Sequence, residues 1–105
     1  MIATLVLFRD EERRYTSEQL RAIFEETAPS YRGMEGLRSK VYVIDEERGE
    51  FGGFYLWESD EQMRRVQGSV EWAEKVRARY GITPTIRRFT APVTVENGIP
   101  SAVAG

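Results

Sequence analysis

The sequence predicts one α+β domain with the element order β-α-β-β-α-β, and three observations carry that prediction. Apolar runs of strand length open the chain, recur twice in its middle and return near its end. The segments "TSEQ" and "SDEQ" each place a Ser or Thr three residues ahead of a Gln, the pattern of a capping box, before apolar residues at helical spacing. The charged, glycine-containing "EERG" separates the two middle runs as a hairpin loop does.

Taken in order, Ile2 to Phe8 is rich in β-branched and large apolar residues and stops at the charged cluster "RDEERR", which reads as a buried first strand. Thr16 caps a helix through Gln19, with Tyr15 placed to staple onto Leu20. Leu20, Ile23, Phe24 and Thr27 share one face, and Pro29 marks its end. Leu37 to Asp45 and Phe51 to Glu58 then read as antiparallel strands of a hairpin. In the first, Leu37, Ser39, Val41 and Val43 alternate with Arg38, Lys40, Tyr42 and Ile44. In the second, Phe51, Gly53, Tyr55 and Trp57 oppose Gly52, Phe54, Leu56 and Glu58.

Ser59 and Gln62 begin a second helix with Met63, Val66 and Val70 at helical spacing. Gly68 and Ser69 predict a kink or a restart before a stripe of Trp72, Ala73, Val76 and Tyr80, and Gly81 reads as its C-terminal cap. "TPTIRRFTAPVTVE" is the last predicted strand, with Pro84 and Pro92 at its ends or on an edge. Residues 1–96 are thus expected to form a single domain and 97–105 a loose C-terminal tail.

This order is the split βαβ pattern of ferredoxin-like domains, a four-stranded antiparallel sheet with helices on one face. The strands nevertheless carry apolar residues on both faces. A second copy of the chain packed sheet on sheet resolves that mismatch, so a homodimer is expected.

Composition removes several classes of function. The 105 residues contain no Cys and no His, which excludes disulfides, thiolate nucleophiles, His- or Cys-ligated zinc, haem with a proximal His and His-based triads. With 15 basic and 17 acidic side chains the net charge is −2, so neither nucleic acid nor an anionic membrane is an expected partner. The apolar run after Met1 is short and its charges follow it, which fits neither a signal peptide nor a membrane span; a cytoplasmic location is expected. Four-stranded sheets of this topology can stack RNA bases, but the basic-Gly-aromatic run such binders carry on the third strand is missing.

The stretch "PSYRGMEGLRSKVYVIDEERGEFGGFYLW" resembles the YdhR-like monooxygenases of the dimeric α+β barrel superfamily, through Gly36, Leu37, Lys40, Gly52, Gly53, Tyr55 and Leu56. In element order the resemblance spans residues 1–96. It implies a homodimer of ferredoxin-like chains with an apolar cavity between sheet and helices. It also implies kinship with oxygenases that act on polycyclic phenols and anthrones without metal or flavin, and so no cofactor. A deprotonated, electron-rich aromatic can itself reduce dioxygen, leaving the protein to bind it, favour its anion and exclude water.

Lys40, one of two lysines, lies among apolar neighbours and is the first candidate catalytic residue. It reads either as an ammonium that stabilises a phenolate or enolate, or as a base of lowered pKa; the structural alternative is an amine that snorkels to solvent or pairs with Glu58. Tyr55 is the second candidate, as a hydrogen-bond donor to a substrate oxygen. Tyr31 and Tyr42 are further donors, and Trp57, Trp72 and Tyr80 candidate stacking surfaces, although buried aromatics commonly serve the core alone. Gly52 and Gly53 read as a bulge or close backbone packing, or as room for a ligand or the partner's backbone, with Gly53 the candidate binding residue. Ser39 and Lys40 point to opposite strand faces and form no catalytic pair. Two functions remain: a cofactor-independent monooxygenase of an aromatic or polyketide-like small molecule, and a non-catalytic homodimer that binds such a molecule.

Overall fold

A computed structural model describes residues 1–97. Its strands are β1 (Ile2–Arg9), β2 (Leu37–Asp45), β3 (Glu50–Trp57) and β4 (Thr85–Thr90); its helices are α1 (Ser17–Thr27), α2 (Asp60–Gln67) and α3 (Val70–Tyr80), with a single 3₁₀ turn at Ala28–Ser30. The sheet runs β2-β3-β1-β4 with every pair antiparallel, the ferredoxin-like arrangement. From residue 98 on, the expected loose tail lies outside the described residues. Among the described residues no helix is long and apolar enough to cross a membrane.

Local signals set the helix ends. Thr16 and Gln19 form both halves of the capping box of α1, and Ser59 accepts from the Gln62 amide at the start of α2. The Gly68–Ser69 interruption is a restart rather than a kink. Ser69 caps a separate α3, so three helices cover the sheet where two were expected. Gly81 ends α3 with φ at 72°, a left-handed conformation that glycine adopts without a Cβ penalty.

Two other expectations are corrected. The last strand is shorter than the sequence suggested, ending at Thr90 before Pro92. A bulge at Arg38 lets Leu37 pair with Trp57 and Ser39 with Leu56. Leu37 therefore packs against the core, on the helix side with Lys40 and Tyr42, and not on the face of Ser39, Val41 and Val43.

The core lies between the sheet and the helices. Cross-strand partners Phe8 and Phe51 stack with centroids 5.0 Å apart, and Tyr80 of α3 tilts onto both. Trp57 is fully buried, and its Nε1–H donates to Thr4 Oγ1 at 3.2 Å; that hydroxyl donates to Gln67 Oε1 at 2.8 Å, which ties β1 and β3 to α2. Among the described residues no helix covers the opposite sheet face. Val41, Phe54 and Phe89 stand there 58%, 49% and 38% exposed, with Leu5 and Leu7 partly covered between them.

Gly52 is fixed by the neighbouring strand: a Cβ there would lie 1.9 Å from the backbone oxygen of Val6. Backbone cannot swing aside as a side chain can. Gly52→Ala is expected to lower stability by about 3 kcal/mol, at the upper end of overpacking effects. Urea denaturation followed by circular dichroism measures it, and an unchanged midpoint would show that β1 yields freely.

Candidate functional site

On the helix side of the sheet, α1 and α3 leave a cavity of about 450 Å³. Its floor is Val6, Phe8, Lys40, Tyr42, Gly52, Gly53 and Tyr55 from β1, β2 and β3. Its walls are Phe24 and Thr27 of α1, Ser30 and Tyr31 beyond it, and Trp72, Val76 and Tyr80 of α3, with Glu26, Lys75 and Arg79 also bordering it. Volume and lining are those of a small-molecule site, mostly apolar with a few convergent polar groups.

Lys40 of β2 borders the cavity. The Nζ lies 3.5 Å from the ring centroid of Tyr31, 3.9 Å from that of Tyr42 and 4.6 Å from that of Tyr55. It neither snorkels free nor pairs with Glu58, and burial alone lowers its pKa from 10.5 to about 7. The three ring faces attract the charged form and act against that shift. The amine is therefore a group that gains or loses its proton near neutrality in surroundings that hold both forms.

The rings around it are themselves clamped. Trp72 Nε1–H donates to the Tyr31 hydroxyl at 3.1 Å, and the Tyr42 hydroxyl shares a 2.8 Å hydrogen bond with Thr27 while its ring stacks on Phe24 at 4.5 Å. Tyr55 meets Tyr31 edge-on at 5.8 Å and stacks on Trp57 at 5.9 Å. Burial raises the pKa of Tyr55, Tyr80 and Tyr42 above the ordinary phenol value, so these hydroxyls stay protonated and able to donate. Among the described residues no three carboxylates converge on a common point that could hold a metal.

The two glycines have separate structural reasons. Gly52 answers to the β1 backbone. At Gly53 a Cβ would stand 3.3 Å from Lys40 Cε and 3.4 Å from Tyr55 Cε1, so the missing side chain is the space across which the lysine stem lies.

Of the residues singled out from sequence, Lys40, Tyr55, Tyr31, Tyr42, Gly53, Trp72 and Tyr80 border one cavity. Trp57 does not: it is sealed beneath Tyr55 and bonded to Thr4. Sequence reasoning left out Phe24 and Thr27 as site residues, having assigned both to the core-facing stripe of the first helix. That stripe was the available signal, since it extends past the core into the cavity wall.

A sequence model of the family described as "Putative mono-oxygenase ydhR" matches residues 7–91. No curated protein matches the sequence. Among solved structures, SnoaB, a cofactor-independent oxygenase from Streptomyces nogalater, is similar over 91% of this chain and 97% of its own at 14% identity, TM-score 0.65. The monooxygenase of the ActVA-Orf6 gene of Streptomyces coelicolor, solved with nanaomycin D, is similar over 92% of each chain at 16% identity, TM-score 0.66. Rv0793 from Mycobacterium tuberculosis covers 91% of this chain and 98% of its own at 22% identity, TM-score 0.63. At these identities the likeness is one of fold.

The shifted amine makes a prediction with a definite sign. Between about pH 7 and pH 10 the unfolded chain still binds the Lys40 proton while the folded chain does not, so stability rises with pH across that window. Above the ordinary phenol value of 10.0 the trend reverses, because phenols such as Tyr42 ionise more readily when unfolded. The rise is expected to shrink in Lys40→Met, read as urea midpoints across pH. An NMR midpoint for Lys40 close to 10.5 would contradict it.

Proposed function

The chain belongs to the ydhR mono-oxygenase family, and from that premise we propose that it is a cofactor-independent monooxygenase of an aromatic or polyketide-like small molecule bound over Lys40. The observation that carries this reading is the Lys40 amine, unpaired with any carboxylate among the described residues and set among three tyrosine rings at the floor of an apolar cavity.

In this reading the neutral Lys40 amine takes a proton from a phenolic O–H, or from a C–H made acidic by an adjacent carbonyl and fused rings. The ammonium so formed stays over the ring faces and beside the substrate anion, which it stabilises. The anion passes one electron to dioxygen, and the radical pair combines into a carbon–oxygen bond. The resulting peroxide takes the ammonium's proton at its terminal oxygen; the carbon that bears it then gives up its C–H proton, the electrons of that bond form the carbonyl as the O–O bond breaks, and the hydroxide with that proton leaves as water. One oxygen atom stays in the product, the other departs in water, and the substrate supplies all the electrons. Tyr55, held protonated by burial, donates a hydrogen bond to the developing oxyanion, while Tyr31, Tyr42, Trp72 and Tyr80 enclose the ring system and Gly53 gives it access to the lysine.

The test is dissolved-oxygen uptake by chelator-treated protein with anthrones and dihydroxynaphthalenes. Uptake is expected to rise as pH passes about 7, because the neutral amine is the active form. Lys40→Ala is expected to lose at least about 100-fold in rate, the lower range for a general base, and with it that pH limb. Binding of these compounds without uptake on any would replace the enzyme with a small-molecule-binding protein of the same fold. Full uptake in the variant would remove the lysine from the chemistry.

We also propose that the molecule works as a homodimer in which a second copy covers Val41, Phe54 and Phe89, since contiguous apolar sheet surface of this kind favours association. Light scattering at micromolar protein is expected to give twice the chain mass, and Phe54→Lys to give the monomer. A wild-type monomer would overturn the proposal.

A further inference from the structure

The charged residues that border the cavity are unevenly divided. At its rim Lys75 and Arg79 are cations and Glu26 is the one anion, while Lys40 on the floor adds a charge only when protonated. The whole chain, by contrast, has a net charge of −2, so the positive excess belongs to the cavity and not to the surface at large. Lys40 is half-buried, whereas Glu26, Lys75 and Arg79 are exposed while Phe24, Trp72, Val76 and Tyr80 beside them are buried. The exposed three therefore mark the mouth.

Two features of the mouth point to what it receives. Arg79 Nη2 reaches Glu26 Oε2 at 3.0 Å, an ion pair that ties the last turn of α3 to the last turn of α1 across the opening. Lys75, one helical turn before Arg79 on the same face of α3, has no carboxylate partner among the described residues. A helix C-terminus attracts cations by itself, but Arg77 serves that end from another side of α3, near Pro84 and Ile86. Arg79 also lies in that last turn and has Glu26 as its partner, so among the described residues the group left without a partner at the mouth is the Lys75 amine beside it.

We propose that the cavity takes its aromatic ligand as a carboxylic acid, with the ring system inside and the carboxylate at the mouth between Lys75 and Arg79, in exchange for Glu26. This rests on the cavity being the ligand site. The guanidinium suits a carboxylate because its paired N–H groups match the two oxygens, and Lys75 adds a second charge from the neighbouring turn. Glu26 holds Arg79 in place while the cavity is empty and competes with the ligand for it. Lys75 and Arg79 are thereby specificity-determining residues, selecting acids over neutral aromatics of the same shape.

The test is equilibrium dialysis near neutral pH with 2-naphthol and 6-hydroxy-2-naphthoate, which share a ring system and a phenol and differ by the carboxylate. The acid is expected to bind about tenfold tighter, a preference that weakens as salt is raised. Lys75→Gln combined with Arg79→Gln is expected to abolish the preference, and Glu26→Gln to enlarge it; opposite signs from exposed positions separate recognition from loss of fold. Equal affinity for the two compounds, or a preference untouched by the double variant, overturns the proposal and leaves the cavity reading in place. Binding of neither compound overturns both.

Discussion

The site depends on one contact, the stem of Lys40 lying across β3 where Gly53 has no side chain. A long amine on a strand beside solvent normally runs outward, because its charge is poorly tolerated inside. Here the bulge at Arg38 and the register of β2 on β3 bring the residue to the covered face, opposite Tyr55, and the glycine gives its chain somewhere to lie. The penalty for desolvating the ammonium is offset in part by three electron-rich ring faces and in part by release of the proton. The same balance that makes the residue uncomfortable in the fold is what the proposed role as a base draws on, a common relation between strained electrostatics and chemistry.

The rings are effective because they are not free to turn. Trp72 on α3 holds Tyr31, and Thr27 on α1 holds Tyr42, so the two helices that flank the cavity also fix the orientation of the faces presented to the amine. Beneath them the Phe8–Phe51 stack and the bonded Trp57–Thr4–Gln67 chain keep the sheet and α2 in register. The floor is thus rigid for reasons of packing, while the mouth is spanned by the exposed Glu26–Arg79 ion pair, one of the weak kind. Rigidity below and weakness above are what the proposed function asks of the cavity, which would admit a ligand without losing its geometry.

Most of the fold was legible because its signals are local. Capping boxes, alternation along β3 and the turn residues each act within a few positions, and they fixed element order, helix starts and the cap at Gly81. What local signals could not convey was the bulge at Arg38, since two residues facing one across a ladder leave no mark in the alternation of a single strand. The same limit applied at the site. That Lys40 is unusual was readable from its apolar neighbours, but the rings that surround it come from the turn after α1 and from two strands. Trp57 and Tyr55 alternate on one strand face and looked equivalent; only the depth of the cavity, a tertiary property, separates the lining residue from the one beneath it.

The restart at Gly68–Ser69 divides labour along the chain. The turn before it is bolted to the sheet through Gln67, while the turns after it carry Trp72, Lys75 and Arg79 to the opening. A continuous helix would have welded these two tasks into one rod, so that any change in how the opening is shaped would disturb the anchor. With a joint between them, the second segment takes its own direction, and its inner stripe of Trp72, Val76 and Tyr80 serves two surfaces at once, the packed core and the cavity wall. Its outer turn, with Lys75 and Arg79 exposed, is the part that can change without disturbing the hydrogen-bonded base beneath it.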